Sequence, residues 1–149
     1  MLSHFNKLLL FTLAVAGAYS CKKETVTFEA VPSIEYVSIT PANAHQYTDN
    51  VTITIKYKDG DGDLGENNSD VKNCFVTDNR IGVTYKFRIK QLAPSGSSVP
   101  IEGNLDIQLG GQGITNGSSS QSASYSVYVV DRAGHESNVV NTGEIVISD

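Results

Sequence analysis

Between residues 51 and 58 the side chains alternate without a break: Val51, Ile53, Ile55 and Tyr57 fall on one side of an extended chain, Thr52, Thr54, Lys56 and Lys58 on the other. A period of two marks a strand with one buried and one wet face. The same alternation runs through residues 85–89, 105–109 and 125–129. Shorter runs at 34–40, 74–77 and 143–148 read as further strands. The stretches between them are rich in Gly, Ser, Asn, Asp and Pro, the residues that turn a chain. No helical periodicity follows the apolar run at the N-terminus, so the chain beyond it is expected to be all-β, with about seven strands. The longest low-complexity stretch, residues 110–121, is expected to be a mobile loop between two of them.

Seven short strands joined by turns within about a hundred residues suit an immunoglobulin-like or fibronectin-like β-sandwich. The Trp and paired cysteines of antibody domains are missing, since the chain has no Trp and 2 Cys. One strand ends in Asp59-Gly60-Asp61-Gly62-Asp63 and a late one in Asp131-Arg132-Ala133-Gly134. In these features the run from Ile34 onward resembles the Ig-like or cadherin-like modules of Gram-negative surface lipoproteins. The resemblance implies a sandwich and an envelope location, and it leaves the ligand open.

The N-terminus carries a second resemblance. A short start containing Lys7 leads into the apolar run 8–18, and Ala18-Tyr19-Ser20-Cys21 closes the segment. About eleven apolar residues are too few to span a membrane, which takes about 20, and match the core of a cleaved signal. The stretch resembles a bacterial lipoprotein signal peptide, with Tyr19 standing where a small residue is usual. The resemblance implies a signal helix over 1–20 that is removed, a lipid on Cys21 as the new N-terminus, and a membrane attachment through that lipid. Residues 21–32 are then a tether and 33–149 the folded domain. Lys22 is not the Asp that favours inner-membrane retention, so the resemblance implies the outer membrane. It leaves the periplasmic and cell-surface sides open.

Composition narrows the choice of partner. The net charge is -5, and every acidic residue follows the signal while Lys7 lies within it. Such a chain is not built for nucleic acid. With Cys21 lipidated, Cys74 is the sole remaining thiol, so no intrachain disulfide forms. Cys74 lies in an apolar strand with no His beside it and reads as a buried structural residue.

The sharpest chemical feature is Asp59-Gly60-Asp61-Gly62-Asp63-Leu64-Gly65-Glu66, directly after the clearest strand. Three carboxylates in five residues repel one another unless a cation or water intervenes. Calcium takes six to eight oxygens, and alternating Asp on a Gly backbone can wrap carboxylates and carbonyls around it. The spacing begins like an EF-hand, but Leu64 replaces the required Gly, Asp70 replaces the closing Glu, and strands flank the loop. The expectation is a Ca2+ loop of another kind, with Asp59, Asp61 and Asp63 as ligands; its alternative is a pair of solvated turns. In a sandwich the loops after residues 51–58 and 125–130 emerge at one pole. Asp131 is thereby a candidate distant ligand, and Arg132 a candidate charge partner for a loop carboxylate.

Asp131, His135 and Ser137 are the residue types of a hydrolase triad, but residues so close in one turn rarely align nucleophile, base and orienter, and no oxyanion-hole motif accompanies them. No enzyme is expected. Two readings remain: a non-catalytic binding or adhesion module whose loop pole or sheet face contacts a glycan or another envelope protein, and a structural subunit or spacer of a larger envelope assembly. Tyr128, out of phase with Tyr125, Val127 and Val129, is the candidate surface contact.

Overall fold

A computed structural model describes residues 27–149; the signal segment, Cys21 and the first part of the tether lie outside the described residues. The described chain is all-β, and no helix occurs among its residues. Ten strands form: β1 (Ser33–Thr40), β2 (Asn43–His45), β3 (Asn50–Asp59), β4 (Cys74–Asp78), β5 (Val83–Phe87), β6 (Ile101–Gly111), β7 (Ser120–Ala123), β8 (Tyr125–Val129), β9 (Val140–Asn141) and β10 (Ile145–Ser148). They make three sheets, ordered β1-β3-β6, β2-β10-β7 and β5-β4-β8-β9.

All seven expected strands are present, and β2, β7 and β9 are additional. These three are short and polar, too brief to show a period, and they pair only because neighbours offer them an edge. Residues 85–89 were expected as one strand, whereas β5 runs from Val83 to Phe87. Beyond it the pairing partner is a side chain: Asn73 Oδ1 accepts from the Ile89 amide at 2.6 Å, and the Phe87 carbonyl accepts from the Asn73 amide at 3.0 Å. The carboxamide thus extends the sheet edge by imitating a peptide group.

β3 shows how alternation becomes packing. Val51, Ile53 and Ile55 are fully buried, and Tyr57 and Asp59 continue the same face. On the opposite face Thr54 donates to Asp106 on β6 at 2.7 Å, and Lys56 lies 3.6 Å from Glu102. Antiparallel pairing of β3 with β1 and β6 sets these neighbours opposite one another. The inward residues of all three sheets share one core, including Ile34, Ile55, Val76, Tyr125, Val127 and Ile147. Cys74 belongs to it, buried as expected.

The low-complexity stretch, expected as a loop between two strands, is strand at both of its ends. Gly110 and Gly111 close β6, and Ser120 and Gln121 open β7. Between them Arg80 donates to the Gly113 carbonyl at 3.0 Å, Tyr47 donates its amide to the Gln112 carbonyl at 3.1 Å, and Gln121 Oε1 accepts from the Thr115 amide at 2.8 Å. Ile114 packs partly buried against the core, and polar bonds from distant residues hold the glycines and serines around it.

Candidate metal centre

Asp59 is the last residue of β3 and stays in phase with Val51, Ile53, Ile55 and Tyr57, so the pleat turns its carboxylate inward. Its exposure is 0%. Oδ2 accepts a hydrogen bond from the Leu64 amide at 2.7 Å, which folds the loop back on the strand, and the Leu64 side chain is itself fully buried. Gly62 and Gly65 have φ of 73° and 94°, the left-handed region that makes the return turn accessible to glycine.

The loop brings three carboxylates to one point. One oxygen each from Asp59, Asp61 and Asp63 lies within 4.8 Å of the others. Oδ1 of all three is buried and has no hydrogen-bond partner among the described residues. A buried polar atom without a partner costs about 1–3 kcal/mol, and more when charged. Here three such atoms belong to one loop.

Electrostatics follow from this crowding. Burial pushes the Asp59 carboxyl above its ordinary value; the Leu64 amide opposes the shift, and Asp61 and Asp63 add to it. Asp63 is raised by burial first and then by the charges of Asp131 and Asp61, against the Ala133 amide and Arg132. A divalent cation would reverse both shifts by favouring the ionised forms. Oxygen donors alone at close mutual distance are what a hard cation takes, so the residues fit calcium. Soft thiolate or imidazole ligands are absent from the group.

The loop after β8 does face the Asp loop. Asp63 Oδ2 accepts from the Ala133 amide at 3.0 Å, and its carbonyl accepts from the Arg132 amide at 3.4 Å. Of the two candidates there, Asp131 is engaged otherwise than expected, and Arg132 acts on the loop carboxylates of Asp63 and Glu66 through its charge without bonding either. Asp131 is 7% exposed, yet its oxygens accept from the His135 amide at 2.8 Å and lie 2.9 Å from His135 Nδ1, outside the trio. It acts on the site through its charge on Asp63. Arg132 bonds a carbonyl rather than a carboxylate, donating Nη1 to Gly65 O at 2.7 Å. A guanidinium fork reaches whichever acceptor the turn presents, and the Gly65 turn presents its carbonyl.

Of the triad types, Asp131 and His135 pair, but Ser137 is buried in a different role. Its Oγ accepts from the Val129 amide at 3.0 Å and donates to the Asn138 carbonyl at 2.8 Å. Tyr128 faces away from the core as its phase predicts and stacks on Phe75, directly opposite on β4, with ring centroids 4.8 Å apart and planes 9° from parallel.

Reading the sequence missed one charged group. Asp78 lies in phase with Cys74 and Val76 on β4 and is fully buried, where Arg80 holds it. That phase was the available signal: a carboxylate at the inward position of an apolar strand needs a partner. The chain has no match among protein families, curated proteins or solved structures.

Proposed function

We propose that this chain is a lipid-anchored immunoglobulin-like β-sandwich of a bacterial outer membrane that acts by binding rather than catalysis, with calcium held at the Asp59, Asp61 and Asp63 pole as a structural ion. The observation that carries the metal reading is that three residues which each bring a carboxylate oxygen within 4.8 Å of the others also each hold a buried Oδ1 without a partner. Solvated turns, the alternative, would leave those oxygens to water or to amide donors. The lipid anchor and the envelope location rest on the signal-like segment ending at Cys21.

Calcium at this point would neutralise the trio and couple the end of β3 to the loop after β8 through Asp63. Binding to the folded state alone stabilises it by about 2.7 kcal/mol at a concentration 100 times Kd. The adhesive surface, in this reading, is the outer face of the β4 and β8 pair, where Phe75 and Tyr128 present stacked rings toward a glycan or an envelope protein.

Thermal unfolding of the full-length chain in detergent, first with excess EGTA and then with millimolar calcium or magnesium, tests the ion. A calcium-selective rise in Tm that disappears in Asp61→Ala/Asp63→Ala is the expected result. The same rise in the double variant would overturn the site.

A further inference from the structure

The segment that enters the domain, residues 27–32, meets the Asp loop at Gly60. The Gly60 amide donates to the Glu29 carbonyl at 2.9 Å. A Cβ at Gly60 would lie 2.2 Å from the Phe28 carbonyl oxygen and 2.6 Å from that of Glu29, so only glycine permits this approach. Lys58, one turn of the pleat earlier on β3, holds its ammonium 5.9 Å from the centre of the Phe28 ring. Gly60 stands between Asp59 and Asp61, two members of the carboxylate trio.

The loop is fastened on two sides. On the far side, Leu64 is buried and bonded to Asp59, Asp63 is bonded to the Ala133 amide, and Gly65 is bonded to Arg132. On the near side, the Gly60 to Glu29 bond is, among the described residues, the one backbone hydrogen bond linking the loop to the incoming segment. Gly60 stands between two of the three carboxylates, so whatever their mutual repulsion or a bound ion does to Asp59 and Asp61 bears directly on the Gly60 amide. A displacement of Gly60 would take its amide away from Glu29. β1 is fastened separately, because Asn138 bonds both the amide and the carbonyl of Ile34 at 2.9 Å.

We infer that the Asp loop is an ion-controlled clasp: a bound divalent cation holds residues 27–32 against the domain, and its loss releases them. The inference rests on the proposed calcium site and adds a regulatory consequence to it. Six residues released into an extended chain span about 20 Å. The ion would therefore set how far the domain stands from whatever precedes Thr27. The coupling is reciprocal, so loosening the segment weakens the ion.

Two measurements on the full-length chain in detergent separate the clasp from the site beneath it. Calorimetric titration with calcium chloride reads binding. Amide hydrogen exchange followed by mass spectrometry, with EGTA and then with calcium at about 100 times Kd, reads the segment. Suppressing an opening that requires ion release slows exchange at Gly60 and across 28–31 by about 100-fold. Phe28→Ala, which leaves every carboxylate in place, is expected to weaken calcium binding and to lose that protection. Calcium binding with unchanged exchange at Gly60 and 28–31 would overturn the clasp and leave the ion site standing. No calcium binding at all would overturn both.

Discussion

Arg80 grips Asp78 through two parallel bonds, Nη2 to Oδ2 at 2.6 Å and Nε to Oδ1 at 3.0 Å, around a carboxylate with no exposure to solvent. The same guanidinium reaches the Gly113 carbonyl, 33 residues along the chain, and Gln121, 41 residues along. A buried charge at the end of β4 is thereby satisfied, and the glycine-rich segment between β6 and β7 is fastened to it.

Removing the fork strands the buried carboxylate. Arg80→Ala is expected to destabilise the domain by about 3–5 kcal/mol, measured by urea unfolding, because the unpaired charge costs more than the pair contributes. Arg80→Lys keeps the charge but not the bidentate geometry, and should expose residues 113–121 to limited proteolysis. Wild-type stability in the alanine variant would show that Asp78 is solvated after all.

Burial makes two core groups sensitive to alkali. The Cys74 thiol is pushed from its ordinary 9.0 up to about 12 by burial. The Tyr125 hydroxyl goes from 10.0 to about 12, also by burial first, with Arg80 opposing. In both cases the unfolded chain loses its proton before the folded one. Their contribution to stability is complete below pH 9 and is lost as pH rises toward 12. Denaturant midpoints should fall over this range, and less so in Cys74→Val. At neutral pH the Cys74 peptide should resist iodoacetamide in the native protein and label readily in urea. Rapid native labelling would contradict its burial.

Asn73 stands in for a strand. Its Oδ1 accepts the Ile89 amide and its Nδ2 lies 3.4 Å from the Ile89 carbonyl, in a buried setting. Asn73→Ala leaves a buried amide unpaired and is expected to cost about 1–3 kcal/mol. Exchange at the Ile89 amide should rise with it. If the amide stays protected in the variant, some other group closes the edge.

Phe75 and Tyr128 form a cross-strand pair on the outer face of the β4 and β8 sheet. A double-mutant cycle with leucine at each position should give a coupling of about 0.5–1.5 kcal/mol. A coupling near zero would mean that the rings are neighbours without energetic contact.

The strands were legible in the residues alone, because alternation is local: each side chain's face follows from its neighbours two positions away, and β3, β6 and β8 show it without reference to the rest of the chain. The clustering of Asp59, Asp61 and Asp63 was legible for the same reason, since five consecutive residues on a glycine backbone cannot lie far apart. The short strands β2, β7 and β9 were not, because they exist through pairing with distant partners. Nor was the choice of acceptor by Arg132, which bonds Gly65 67 residues away, or the capture of Asp131 by His135 in place of the loop. Which acceptor an Arg reaches, which oxygens are left without a donor, and which segment lies against Gly60 depend on how the three sheets close around one core. Pattern along a chain specifies what must be buried; the packing of the folded chain specifies what each buried polar group finds there.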